Sequence, residues 1–547
     1  MTPCPRDNRC VRVPRHLEAC VRVVSGTLAL LLSACASAPA PQPTPETARS
    51  ATPGTTSSAV RQDEQARYHW LNRLTWGASA SGVAQSAGRD LSAQLEEQLA
   101  PGPATLPAAA QAQIDALTLG QQPFTTLVFN LEQRRRTADA LKNDEEKRAA
   151  QQAYQQELTR LAREAATRHI LRALYSPRQL QEQMTWFWLN HFSVFQNKAN
   201  IRAMVGDYED TAVRPHALGR FRDLLGAVSL HPAMLLYLDN VQNAVNRTNE
   251  NLARELMELH TLGAGGPYTQ KDVQELARVL TGAGINLTST DTPVARRELQ
   301  GDYVRRGVFE FHPGRHDFNP KTLLGQPLQQ RGLAEVEEAL DRLARHPATA
   351  RHISRKLVQY WLSDQPPPAL VERVALAFSA SDGDIAVALR TLLTSPEFAR
   401  AAGRQFKDPM RFVVSALRLT LDDRVIQNTG PVLFWLNRLG QPLYGRQTPD
   451  GWPLDEAAWS SPGQMTVRFE VARAIGSGAG GLFGNPGSTP PTPPTPSQAV
   501  TPSPSRTLYT QLLQHHLGPN THAALAQASS PQEWTTFLLS SPEWMRR

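Results

Sequence analysis

Two proline-rich stretches set the limits of what this 547-residue chain can fold. Residues 36–60 (ASAPAPQPTPETARSATPGTTSSAV) hold five prolines, and residues 485–505 (NPGSTPPTPPTPSQAVTPSPS) hold eight. Neither has much apolar side chain to bury, and proline fixes φ and removes backbone donors, so both are expected to be extended spacers. They leave a body, residues 61–484, and a short tail, residues 506–547, as the parts able to build a core. The composition, 41% hydrophobic and 20% charged with a mean hydropathy of -0.39, suits a soluble globular chain and excludes a polytopic membrane protein.

Residues 1–35 read as an address rather than a fold. Arg6, Arg9, Arg12, Arg15 and Arg22 precede the apolar run Val23–Leu32, which is about half of the roughly 20 residues a spanning helix needs. A basic region, a short apolar segment and small residues before a cut point make an export signal. Leu32-Ser33-Ala34-Cys35 resembles the bacterial lipobox, implying cleavage before Cys35 and lipid attachment to its thiol. The expected location is the periplasmic face of a bacterial membrane, most simply the outer membrane; cleavage after Ala38 would instead release the protein into the periplasm.

All four cysteines, Cys4, Cys10, Cys20 and Cys35, lie in this leader. The body therefore has no disulfide, no cysteine zinc site and no thiol nucleophile, and its stability must come from packing. The leader carries five basic and two acidic residues, which leaves the rest of the chain near +4 from a formal +7. A balance that mild predicts no nucleic-acid partner.

The body reads as mainly α, a multi-helical globular unit with a small β-hairpin or irregular insertion. Long charged, alanine-rich helices are expected over 127–175, and a helix capped by Ser176-Pro177 runs to about Phe195. Others follow Asn249 and cover about 271–280, 334–345, 349–362 and 385–393. Val308-Phe309-Glu310-Phe311-His312 alternates with period two and is followed by Pro313-Gly314 and Asn319-Pro320, which places the insertion there. Leu392-Leu393-Thr394-Ser395-Pro396-Glu397-Phe398 recurs in the tail as Leu538-Leu539-Ser540-Ser541-Pro542-Glu543-Trp544. Ser, Pro and Glu in that order make a good helix start, so the recurrence is either that alone or the mark of a tail that docks as a duplicated element.

Three constellations carry chemistry. On the helix through 180–195, Leu180, Met184, Phe187 and His191 fall within about 60° of one another at 100° per residue, so His191 points with the apolar stripe. A buried imidazole needs a hydrogen bond or a metal. Asn190 projects to the edge of the same region. In Asn249–His260, Leu252, Leu256 and Leu259 share a face, and Asn251, Glu255 and Glu258 share its flank. Two carboxylates one turn apart beside a core suit a metal site or a general acid/base pair, whereas salt bridges to arginines are the ordinary alternative. His260 lies about 140° from Glu255 and reaches the same site only if the helix ends or bends. In the third, His316 and Asp317 occupy a turn-rich segment where a hairpin can hold ligands rigid. No HExxH, G-x-S-x-G or Walker A motif is present, and Gly476–Gly481 fits G-x-G-x-x-G only as a glycine tract entering a linker.

These residues fall within segments by which the chain resembles the bacterial family catalogued as domain of unknown function 1800. The matching segments are Arg73–Ala78, Met184–Val194 (MTWFWLNHFSV), Arg214–Gly219 and Asn249–Gly263 (NENLARELMELHTLG). The likeness continues through Tyr268–Gly282, His316-Asp317 with Lys321–Gly325, Gly440–Gly445 and Pro449–Pro453, over about residues 66–475. The resemblance implies a mostly helical exported protein, commonly encoded beside a second exported family similar to the alkaline phosphatase and sulfatase superfamily. It supplies no activity.

Three functions follow as expectations. The first is an accessory or binding component of an envelope pathway, anchored to the membrane through lipidated Cys35, with an exported protein as partner. The second is a metal-dependent hydrolase in which Glu255 and Glu258 with His191, His316 or Asp317 bind a divalent cation, the only cofactor indicated. The third is a structural helical scaffold.

Overall fold

The computed structural model describes residues 55–100, 102, 104–478, 481–484 and 503–547. The proposed signal peptide, lipobox and nearly all of both proline-rich stretches lie outside the described residues. Among the described residues the fold is mainly α, 62% helix against 4% strand. The first helix, Thr55–Leu74, starts inside the stretch expected to be a spacer.

Local signals place most elements. The charged stretch forms helices Phe124–Ala140 and Asp144–Tyr175, the second started by Asn143, whose side chain accepts from the amides of Glu145 and Glu146. Helix Gln270–Val279 begins with a reciprocal capping box between Thr269 and Asp272. Leu333–Arg345, Pro347–Trp361 and Ile385–Leu393 follow the expected pattern. The alternating segment is the middle of a three-stranded antiparallel sheet rather than half of an isolated hairpin. Strand β3 (Phe309–Phe311) pairs on one side with β1 (Ala283–Ile285) and on the other with β2 (Val304–Arg306).

Helix Gln179–His191 runs through the centre of the core, with every residue buried except Gln181 and Asn190. It stops at His191, short of the expected Phe195. Two six-residue segments near it are π-helical, Tyr208–Val213 and Leu256–Thr261. Such wide turns cost hydrogen-bond geometry and concentrate at functional sites.

The tail packs on the body. Helix Pro531–Ser540 lies along Pro462–Gly476, so close that a Cβ on Gly476 would sit 2.6 Å from Thr536 Oγ1. Backbone bonds from Lys407 N to Met545 O (2.8 Å) and from Arg547 N to Gln405 O (2.9 Å) fasten its end. Both copies of the repeat do the same two things. Ser395 and Ser541 accept from the amides of Phe398 and Trp544 at 3.1 and 3.2 Å. The two aromatic rings then each lie under a buried cation, Arg73 at 3.5 Å and Lys407 at 3.4 Å.

Candidate functional site

The Asn249–His260 segment forms one α-turn, Asn251–Glu255, that widens into the π segment Leu256–Thr261. Leu252 and Leu256 are buried, Asn251, Glu255 and Glu258 are half-buried on the flank, and Leu259 is half-buried rather than in the core. A π-turn advances less angle per residue than an α-turn, and this brings His260 inward against His191. The rings of His191 and His260 are 5.5 Å apart, and His191 Nε2 lies 3.1 Å from the carbonyl of His260. Gly263 ends the segment at φ +89°, where a Cβ would press to 3.0 Å from His352 Nδ1. His352 completes a trio, its ring 6.2 Å from His191 and its Nε2 3.0 Å from Leu259 O.

One turn along helix Pro347–Trp361 from His352 stands Lys356, whose side chain has no ion pair or hydrogen bond among the described residues. Glu255 and Glu258 have none either. Burial, opposed by the charge of Asp450, draws Lys356 down from 10.5 to about 8. Burial and then the charge of Glu258 raise Glu255 above the usual carboxylate range, and Asp450 adds to it. Burial, with Lys356 next, holds His191 well below its ordinary value, His260 at about 3 and His352 at about 4. All three imidazoles are therefore neutral near pH 7. Asp450 links the two halves, acting on both Glu255 and Lys356.

Asn190 positions that link. Its side chain donates to Trp452 O at 3.0 Å and accepts from Trp452 N at 2.6 Å, clamping the loop that carries Asp450. Gly451 makes the clamp fit: at φ +78°, a Cβ would lie 2.1 Å from the carbonyl oxygen of Asn190. Arg446 pairs with Asp450 at 2.7 Å.

His316 and Asp317 are engaged elsewhere, which corrects their expected convergence with the two glutamates. His316 Nδ1 is 2.7 Å from Thr281 O, and its Nε2 is 3.2 Å from Glu335 Oε2, off the direction of a hydrogen bond but within ion-pair reach. Glu335 also takes Lys321 Nζ at 2.8 Å. Asp317 accepts from Arg278 Nε at 2.7 Å and from both nitrogens of Asn319. Burial alone would raise Asp317, but the bonds from Arg278 and Asn319 and the charge of Arg278 together outweigh it and the carboxyl sits low. These bonds tie the sheet region to helices Gln270–Val279 and Leu333–Arg345. Among the described residues, no group of three or more His, Cys, Asp or Glu side chains is placed to hold a metal ion. The ligand set expected from Glu255, Glu258, His191 and His316 is therefore not assembled.

A second charged cluster lies on the other π segment. Glu209, buried, takes His169 Nδ1 at 3.0 Å and Tyr444 Oη at 2.5 Å, and pairs with Arg214, which also reaches Glu182. Burial alone would raise Glu209; the His169 ring and the Arg214 guanidinium outweigh it and hold it well below the usual range. Every carboxylate here is spoken for. Two clefts of about 620 and 530 Å³ hold neither cluster. Their principal acids are also paired: Glu397 with Arg373 and Glu456 with Arg546 in one, Glu337 with Arg222 and Asp207 with His231 in the other.

Lys356, His352, Asp450 and the Glu209 network are absent from the expected site. Lys356 carried a readable signal, since it sits between Ile353, Leu357 and Tyr360 on the apolar side of its helix. Residues 169, 209, 214 and 444 meet only through tertiary packing.

The family described as "Protein of unknown function (DUF1800)" matches residues 69–546, and the chain belongs to it. The match takes in the tail as well as the body. No curated protein and no solved structure matches.

Proposed function

We propose that this is a lipid-anchored protein of the bacterial cell envelope, held through Cys35, that works as an accessory or binding component of an envelope pathway. Its ligand engages the cluster of Glu255, Glu258 and Lys356. The observation that carries the second statement is charge pairing: these three groups are left without partners beside a core that pairs Glu209, Glu182 and Glu335. Half-buried charges without partners are costly, and function is the common reason a fold retains them. The anchor rests on the basic, apolar and small-residue order of residues 1–35. The family resemblance points to an exported phosphatase- or sulfatase-like protein as the partner.

The test uses the full chain expressed in its own envelope. Radiolabelled palmitate is incorporated by the wild type and lost in Cys35→Ala. A stoichiometric partner co-purifies from detergent extracts of the wild type and is lost in Glu258→Gln, which stays folded. Recovery of no such partner with wild-type protein overturns the binding role.

The opposed shifts of Glu255 and Lys356 favour one further reading, an acid–base hydrolase in which Lys356, protonated below about 8, donates and Glu255 accepts a proton. This version needs no metal. A bell-shaped rate profile, flattened on its basic limb by Lys356→Met, supports it, and a scaffold predicts no activity to lose.

A further inference from the structure

Five cations, Arg73, Lys407, Arg411, Arg468 and Arg547, are buried where the tail meets the body, none more than 3% exposed. Among the described residues, none of them has a side-chain carboxylate within ion-pair distance, whereas the buried Arg214 described above ends on Glu209 and Glu182. The acid that acts on several of them, Asp408, is occupied capping its own helix through the Arg411 amide at 2.8 Å. Carbonyls, amides and aromatic faces take some of the donors. Arg411 gives one nitrogen to Gln183, Arg547 gives one to Tyr360 O, and Lys407 Nζ lies 3.1 Å from Ser415 Oγ. Arg468 Nε, on a guanidinium over Phe406 and Phe412, is left buried without any hydrogen bond, and so are Arg411 Nη2 and Arg547 Nε and Nη1.

The last three nitrogens belong to guanidiniums over the same two rings. Arg411 stands 5.0 Å from the Tyr360 ring and 6.0 Å from Trp361; Arg547 stands 5.4 and 5.6 Å from them. Two like charges side by side in an apolar setting repel, and their unused N–H groups each forfeit a bond. We propose that Arg411 and Arg547 bind a small inorganic anion at the junction of tail and body. One anion supplies what both lack, a negative charge and acceptors for three free nitrogens. Burial, followed by repulsion from Arg411, depresses Lys407 and Arg547, so the pocket without an anion is over-charged. Tyr360 and Trp361 end the helix that carries Lys356, but the site shares no residue with Glu255, Glu258 and Lys356 and does not depend on the role given to them.

The test takes the full chain in gluconate, an anion too large for a buried site, and exchanges it for chloride or for phosphate at constant ionic strength. A saturable rise in the melting temperature of roughly 2 °C or more is expected with the anion that fits. For chloride, the ³⁵Cl NMR line broadens with the protein and narrows on competition by bromide. Arg547→Met removes both the melting rise and the broadening. Chloride or phosphate giving the saturable response identifies the anion. No saturable response of the wild type to either, with no ³⁵Cl broadening, overturns the proposal and needs no variant to fold.

Discussion

The two π-helical segments are a matched pair with opposite outcomes. Both lie near helix Gln179–His191: one buries Glu209 against His169 of helix Asp144–Tyr175, and the other buries its own His260 against His191 while Glu258 stays half-buried on the flank. At Tyr208–Val213 every charge is answered: Glu209 has His169, Arg214 and Tyr444, and Arg214 has Glu182 as well. Around Leu256–Thr261, Glu255, Glu258 and Lys356 have no hydrogen bond or ion pair among the described residues, and Asp450 acts on both Glu255 and Lys356. Burying a paired network is a way to fix a fold, whereas leaving ionisable groups unpaired keeps their protons available. The difference separates a structural cluster from a chemical one better than residue type does.

The largest expected effect breaks the paired side. Arg214→Met strands Glu209 and Glu182 and should cost roughly 3–5 kcal/mol in denaturant unfolding, the usual penalty for a buried charge losing its partner. Tyr444→Phe removes one donor to Glu209 and should cost about 1–3 kcal/mol by the same measurement. If either variant unfolds like the wild type, the network is not structural and the contrast fails.

On the unpaired side the signs reverse. Lys356 titrates at about 8 when folded and 10.5 when unfolded, so the unfolded chain binds the extra proton between those values. Stability should therefore rise with pH across that window, and Lys356→Met should raise stability at pH 7 and flatten the slope. Glu255, raised in the folded state, works the other way: its contribution is complete below the unfolded carboxylate value and is lost as pH rises through the folded one. Glu255→Gln should remove that fall. Smallest of all, Glu258→Gln should leave unfolding within about 0.5 kcal/mol of wild type.

What the sequence made legible is what local chemistry decides. The capping box at Thr269 and the Asp384 cap fix Gln270–Val279 and Ile385–Leu393 without help from distant residues. The flank of Asn251 and Glu255 was equally plain, because the first turn is a true α-turn, and Glu258, early in the π segment, is half-buried like them. The turn of His260 towards His191 is not legible, because it depends on the helix departing from 100° per residue, which happens where the turn widens at Leu256. His316 and Asp317 sit in a rigid turn as expected, yet the rigidity comes from Thr281, Glu335 and Arg278, and it spends the very groups a metal would need. Nothing in the one-dimensional pattern tells a charge that will find a partner hundreds of residues away from one that will not, as Glu209 with Tyr444 and Glu258 without any show.

The titration of Lys356 tests the account most directly. Lysines of the full chain are ¹³C-methylated reductively and followed by NMR, with Lys356 assigned by its loss in Lys356→Arg. The unpaired, partly buried site predicts a midpoint near 8. A midpoint at about 10, the value of a solvated or ion-paired lysine, would contradict it.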